Sequence, residues 1–473
     1  MQSAIRERLC AAVLFCAAAA TGASAQTTFK NMFSFNGSNG ANPHYVYLVQ
    51  GTDGKLYGTT YASTGSGGTA FKITTAGSLS TIYTFCVHGN PCTDGAQPWA
   101  GLVLATNGDF YGTTQNGGTD AFGTVFQITS GGKLTTLHSF DSTDGAGPTV
   151  GVVQATNGLL YGTTSNGGTD NVGTIFDLST TGTFTSLHSF IGSDGDYPDA
   201  MLIQGTSGTF YGTTYEVSSG DGTIFKMTSA GKVTTFHKFI GSDGGGPTSA
   251  LIQATDGNFY GTTSGGGTHT SGTVFRITPA GRLTTLYNFC SSANCADGSN
   301  PTAGLIQATD GNLYGVTFNG GSNTTSCSGG CGTIFKITTA GVLTTLYNFC
   351  SKSGCTDGSN PEEGLVQHTN GTMYGTTYYG GTSGLGTIYS LSAGLGAFIK
   401  TIPTSGKAGV KVTILGTNLT GATAVTFNGT AATFTVMSST EIRTTVPTGA
   451  TTGTVKVTTP GGTLSSNIVF TVP

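Results

Sequence analysis

Seven residues that each directly follow a loop proline carry much of the side-chain chemistry this chain offers: His44, Trp99, Thr149, Asp199, Thr248, Thr302 and Glu362. A repeating unit of roughly 50 to 60 residues places Glu362, His44 and Trp99, the single tryptophan, side by side at the mouth of a channel. Tyr45 and Glu363 follow two of them, and Tyr61, Tyr215 and Tyr378 stand directly after a recurring Tyr-Gly-Thr-Thr motif. Aromatic faces beside carboxylates suit sugar binding, and paired carboxylates suit glycoside cleavage. Nine of these, His44, Tyr45, Tyr61, Trp99, Asp199, Tyr215, Glu362, Glu363 and Tyr378, form the expected ligand site, centred on Trp99, His44 and Glu362. Ordinary loop packing is the competing reading.

Other constellations read as structural. His138, His188 and His237 invite a zinc site, yet they occupy one equivalent position in the outermost strands of three successive units and so stand about a unit apart. Packing against the neighbouring unit accounts for them. Asn39, Asp94, Asp144, Asp194, Asp243, Asp297 and Asp357 open Gly-containing loops, a ring that suggests Ca²⁺. Repetition in every unit favours side chains capping their own turns, because symmetric positions on separate units cannot share one ion. No nucleophile elbow, phosphate loop, zinc-protease helix or dinucleotide fingerprint is present in a persuasive context. No catalytic residue, metal or cofactor is assigned.

The cysteines divide by position. Cys10 and Cys16 fall in a leader. The other eight form close pairs: Cys86 with Cys92, Cys290 with Cys295, Cys327 with Cys331, and Cys350 with Cys355. Local pairs in loops of an exported chain read as disulfides. A metal site is the rival, but it requires two pairs brought together, and no C-x-x-C spacing occurs.

Residues 1–25 read as a secretory signal peptide, with Arg6 and Arg8, an apolar run from Leu9 to Ala20, and Ala23-Ser24-Ala25 before Gln26. Phe15 stands where a lipidation signal before Cys16 wants a small residue. The chain carries 18 basic and 22 acidic side chains, and removing Arg6, Glu7 and Arg8 leaves a net charge near −5. With no basic cluster, nucleic acid is excluded as a partner. No later apolar segment is long enough to span a bilayer. Localisation is expected to be extracellular or at the cell surface, with the periplasm as an alternative.

The elements that must position the site follow from the repeats. Tyr-Gly-Thr-Thr begins at Tyr57, Tyr111, Tyr161, Tyr211, Tyr260 and Tyr374, and Tyr-Gly-Val-Thr begins at Tyr314. Each copy runs on to a Gly-Thr-x-Phe/Tyr motif, starting at Gly68, Gly123, Gly173, Gly222, Gly272, Gly332 and Gly386. Four β-prone runs alternate with tight turns such as Asp53-Gly54 and Asn107-Gly108, where glycine supplies positive φ. Such a four-stranded meander is a propeller blade. It must pack on its neighbours to bury both faces.

The seventh copy stops after its third strand, at Gly386 to Leu391, while the isolated run Thr27 to Phe35 matches the missing fourth strand. The expected fold is all-β: a seven-bladed β-propeller over residues 27–392, closed by its N-terminal strand. The first-to-second and third-to-fourth connections are tight turns on one face. Long, variable loops fill the other, which is the candidate functional surface.

From about Ala397 the period ends. Ile402 to Leu419, Val425 to Gly429, Ser439 to Pro447 and Gly453 to Gly462 alternate strands and turns, describing a small β-sandwich over residues 396–473. This stretch resembles the IPT/TIG immunoglobulin-like domain, which implies a spacer or adhesive module. The repeat, with Tyr-Gly-Thr-Thr, Asn-Gly-Gly-Thr, Gly-Thr-Val/Ile-Phe and Leu-Thr-Thr-Leu-x-x-Phe, resembles the GloVer-type tandem repeat of exported bacterial proteins over residues 27 to 392. That resemblance implies no activity, but often a following sorting anchor. The chain ends at Phe470-Thr-Val-Pro473, which favours release.

The expected function is that of an exported, non-enzymatic binding or adhesion protein. It presents its loop-rich face to an extracellular glycan or a surface protein. A secreted polysaccharide lyase or glycoside hydrolase using the same face, and a structural cell-surface component, are the alternatives. The sequence leaves the oligomeric state open.

Overall fold

The computed structural model describes residues 27–65, 67–87, 89, 91–216, 220–324 and 326–473. The expected leader, with Cys10 and Cys16, lies outside them. The described strands form nine four-stranded sheets, and two 3₁₀ turns, Ala293–Cys295 and Ser353–Cys355, interrupt the loops. Among the described residues no helix is long and apolar enough to cross a membrane.

Seven sheets come from the repeats and are antiparallel, six of them meanders in chain order. In the first, Val49–Gln50, Leu56–Thr60, Thr69–Ile73 and Leu79–Thr84 lie side by side. In the seventh, Val366–Gln367, Met373–Thr377 and Thr387–Ser392 are completed by Thr28–Ser34, whose Phe29 faces Leu391 in register. The fold is all-β and β-propeller-like, and its first strand sits in the sheet of its last repeat.

The repeat motif is explained by packing. Each Tyr-Gly-Thr-Thr strand is fully buried. Tyr57 packs on Leu102, Phe110 and Phe126 of the next repeat, and Tyr374 packs on Leu56 and Phe71 of the first. Burying an aromatic of this size stabilises by about 1.5–3 kcal/mol. The glycine lies under the phenyl ring of its sheet partner, and a Cβ on Gly58 would sit 2.8 Å from the Phe71 ring. The last threonine bonds the threonine of the Gly-Thr motif across the sheet, as in Thr60 with Thr69 and Thr114 with Thr124, both at 2.8 Å. The first threonine crosses to the next repeat, where Thr59 Oγ1 donates to the Ala100 carbonyl at 2.8 Å.

A ladder of side-chain clasps joins the turns. The Gln154, Gln204, Gln253, Gln307 and Gln367 amide oxygens accept the N–H of Thr106, Thr156, Thr206, Thr255 and Thr309 in the preceding repeat. Gln50 makes the same bond to Thr369 at 3.0 Å, joining the seventh repeat to the first. The second repeat has Leu104 at this position.

The remaining two sheets belong to the C-terminal region. Lys400–Ile402, Lys411–Leu415, Glu441–Thr445 and Phe434–Val436 form one, and Thr430–Ala432, Ala424–Phe427, Val455–Thr459 and Gly462–Ser465 form the other. Their alternating inward residues, among them Val412, Ile414, Phe427, Ile442 and Val457, share one core. This region rests on the tight-turn side of the repeats. Thr440 Oγ1 donates to the Thr52 carbonyl at 2.7 Å, the Phe398 N–H to the Thr369 carbonyl at 3.0 Å, and Leu415 joins the core around Tyr57.

Candidate functional site

The loop prolines are anchored before the site residues begin. A Cβ on Gly68 or Gly123 would meet the ring of Pro98 or Pro148 at 2.8 or 2.7 Å, so glycine lets the loop lie flat on the preceding repeat. The residues before the prolines, such as Asn42, Gln97, Tyr197 and Asn300, take left-handed φ of 51–55°. In the second to fifth repeats the residue after the proline, Trp99, Thr149, Asp199 or Thr248, then lines a common recess. The first repeat holds one extra residue here, and Tyr45 also adopts positive φ, 43°. Counted back from the strand, Tyr45 rather than His44 occupies the position of Trp99, Thr149, Asp199 and Thr248. These five residues line a recess of about 120 Å³.

His44, displaced by that extra residue, gathers the aromatic side of the mouth. Its ring lies 4.2 Å from Trp99, 4.7 Å from Tyr45, 4.7 Å from Tyr378 and 5.9 Å from Tyr61, centroid to centroid. Tyr61 stands edge-on to Trp99 at 5.3 Å and accepts a hydrogen bond from Gln97 at 2.8 Å. His44 Nδ1 is 3.1 Å from Glu362 Oε2, yet both atoms are buried and out of line for a hydrogen bond. Trp99 Nε1 is likewise buried without a partner. Three polar atoms are therefore unsatisfied at one mouth, a costly arrangement unless something else meets them.

Electrostatics make this side nearly neutral. Burial lowers the His44 pKa to about 4 and raises that of Glu362 to about 8, with Glu363 adding to the latter. Between these values a neutral imidazole faces a protonated carboxyl, so the short contact is not a salt bridge. Burial also pushes up Tyr45, whose hydroxyl feels Glu362, Glu363 and Asp199, and lifts Tyr378 to about 12.

The other expected residues sit apart. Asp199 lies in the recess, where its carboxylate accepts hydrogen bonds from Thr149 Oγ1 at 3.0 Å and from Ser165 Oγ, while burial raises its pKa. Tyr215 is exposed at the rim. Glu363 points into the channel, where burial lifts its pKa to about 7 and it accepts the Gly364 N–H at 3.1 Å. Among the described residues Asp199 is the one carboxyl lining the recess, Glu362 and Glu363 act with it on the Tyr45 hydroxyl, and no Lys or Arg lines it.

Sequence reasoning missed Tyr47. It stands where the other repeats carry Gly101, Gly151, Met201, Ala250, Gly304 and Gly364. Its ring crosses the channel, and a Cβ on Gly364 would meet it at 2.8 Å. The signal was one tyrosine among small residues at a single channel level. A cavity of about 830 Å³ runs past it from Tyr45 and Asp199 to the C-terminal region and is lined by Lys400 among others.

The structural constellations resolve by contact. His138, His188 and His237 each meet the loop aspartate of their own repeat, Asp144, Asp194 and Asp243, at 2.8–2.9 Å. Tyr83, Tyr287 and Tyr347 do the same with Asp94, Asp297 and Asp357. Stacking on the neighbouring repeat, expected for these histidines, is seen for His138 on Phe184, at 3.8 Å. The aspartates also accept N–H groups of their own turns, as Asp194 does from Ile191 at 2.9 Å.

The four expected disulfides join Cys86 to Cys92, Cys290 to Cys295, Cys327 to Cys331, and Cys350 to Cys355. The last two pairs do come together, with all four sulfur atoms within 4.8 Å of one another. As disulfides they offer no thiolates to a metal.

The chain belongs to the Gloeobacter/Verrucomicrobia repeat family, whose model matches residues 19–220 and 215–438. No curated protein matches it. Among solved structures it is similar to PorZ, a surface component of the type-IX secretion system of Porphyromonas gingivalis, at 13% identity and TM-score 0.47, covering 93% of this chain and 60% of that one. It is also similar to an auxiliary nutrient binding protein from Bacteroides thetaiotaomicron, at 13% identity and TM-score 0.42, covering 78% and 76%. A gluconolactonase from Xanthomonas campestris matches at 11% identity and TM-score 0.35, covering 55% and 78%.

Proposed function

We propose that this chain is an exported, non-enzymatic binding or adhesion protein that takes a neutral glycan at the mouth of the loop-rich face. In this reading residues 27–392 are a seven-bladed β-propeller closed by the N-terminal strand, residues 396–473 are an immunoglobulin-like spacer, and residues 1–25 are a removed leader. The observation that carries the proposal is the set of unpartnered buried atoms, Trp99 Nε1, His44 Nδ1 and Glu362 Oε2, beside the faces of Trp99, Tyr45, Tyr61 and Tyr378. Sugar hydroxyls both donate and accept, so they can satisfy an indole N–H and a carboxyl together while their C–H faces stack on the rings. The small recess suits a terminal residue inserted end-on rather than a buried ligand.

Glycoside hydrolysis is the second reading. Glu362, held protonated by burial, is suited to a general acid, and Asp199 lines the neighbouring recess. A glycan array on the mature chain, followed by product analysis on the bound glycan, separates the two. Binding without new reducing or unsaturated ends supports the binding protein, and product formation supports the enzyme. Failure of any glycan to bind, with capture by a cell-surface protein instead, overturns the glycan assignment.

A further inference from the structure

The cavity of about 830 Å³ on the tight-turn side is separate in character from the mouth. Val103, Val153, Ile252 and Ile306 line it from the innermost strands, and Leu415 and Ile402 line it from the C-terminal region. Tyr47 fills the channel toward the loop face, where Tyr45, Asp199 and Glu363 also border the cavity. At the other end Ile468 and Val469, 55% and 42% exposed, form its rim beside Thr206 and Thr255. An exposed apolar pair at the edge of an apolar chamber makes an entry suited to a greasy chain.

Asp199 and Glu363 line the cavity at its loop-face end, and Lys400 is the one basic side chain among the described residues that line it. Lys400 lines the cavity from the strand that leads into the C-terminal region, and among the described residues it makes no ion pair. Its amine lies 5.7 Å from the Phe398 ring and close enough to His368 to disfavour that residue's protonation. An enclosed ammonium without a counter-ion is costly, and the cost is relieved when an anion is supplied. The volume falls in the range of small-molecule sites.

We infer that this cavity is a binding site for an apolar molecule with one anionic head, a long-chain carboxylate, whose tail lies among the channel valines and isoleucines and whose head meets the Lys400 amine. The cavity shares Tyr45, Asp199 and Thr248 with the mouth recess, but the head group is placed at Lys400, on the C-terminal region, so this site does not rest on the glycan reading. A ligand bridging the repeats and the C-terminal region fixes their relative position.

The test is calorimetric titration of the mature full chain, stripped of bound lipid, with palmitate and with 1-hexadecanol. Palmitate is expected to bind saturably at one site. Lys400→Met is expected to weaken palmitate by about tenfold or more, the scale of one charge-assisted contact, and to leave 1-hexadecanol unchanged. Ile468→Glu, at an exposed position that folding tolerates, is expected to weaken palmitate through repulsion at the rim. Absence of saturable palmitate binding, or palmitate binding unaltered in either variant, overturns the assignment.

Discussion

His44 Nδ1 lies 3.1 Å from Glu362 Oε2, so a contact between the first and last repeats closes one side of the mouth. Its pH dependence follows from the shifts. Glu362 is raised from 4.5 to about 8, so its contribution to stability is complete below about 4.5 and is lost as pH rises through 8. Glu363, raised to about 7, acts in the same direction. His44 is lowered from 6.5 to about 4, so its contribution is present above 6.5 and is lost as pH falls through 4. Glu362→Gln cannot ionise. Relative to the parent it should gain about 2–4 kcal/mol between pH 5 and pH 8, as each titrating group changes stability by about 1.4 kcal/mol per pH unit. Denaturant melts at the two pH values check this, and a constant difference would contradict it.

Tyr47 and Gly304 should be coupled. A Cβ at residue 304 runs into the Tyr47 hydroxyl, so Gly304→Ala is expected to cost about 1–3 kcal/mol, the scale of overpacking. Tyr47→Phe removes the clashing atom but also the hydroxyl that hydrogen-bonds the buried Glu363 carboxyl, so it should cost stability alone and cost less in the Gly304→Ala background. A double-mutant cycle on thermal stability measures the coupling, and strict additivity would show that the ring does not fill the channel at this level.

The glutamine ladder makes a paired prediction. Gln50→Leu removes the partner of a buried N–H at Thr369 and should cost about 1–3 kcal/mol. Leu104→Gln extends the ladder toward Thr52 but removes a side chain from the core around Tyr57. The net gain there should stay below about 1 kcal/mol or turn negative. Chemical denaturation of both variants distinguishes a ladder that staples the repeats from one that is incidental.

Much of this architecture was legible because repetition overdetermines it. Tyr57 and its six counterparts, the glycine beneath Phe71, and the orphan strand at Phe29 each recur or are missed at fixed positions, so one copy explains the others. The mouth was legible only where copies differ, at His44, Trp99 and Glu362. Two things escaped. The single extra residue before Val46 shifts Tyr45 into the ring of Trp99, a displacement invisible when counting forward from Pro43. Tyr47 was hidden because channel-facing positions show their meaning only when all seven are compared at one height. Lys400 was hidden for another reason: the cavity it faces exists only once the C-terminal region is seated on the repeats.

The disulfides should act locally. Each closes a loop with a sequence separation of only 4 to 6, so each is expected to contribute roughly 2 kcal/mol, by restricting the unfolded chain. Reduction should lower the melting temperature and loosen the loop face while strands such as Leu56–Thr60 stay protected in hydrogen exchange. Global unfolding on reduction would contradict this.

The central claim is tested most directly through Trp99, whose emission is the chain's only tryptophan signal. A neutral glycan identified by array should change that emission saturably, and Glu362→Gln or His44→Ala should weaken binding by about tenfold, the loss of one contact to a buried polar group. A glycan that binds with no change in Trp99 emission and equal affinity for both variants would contradict the placement of the site.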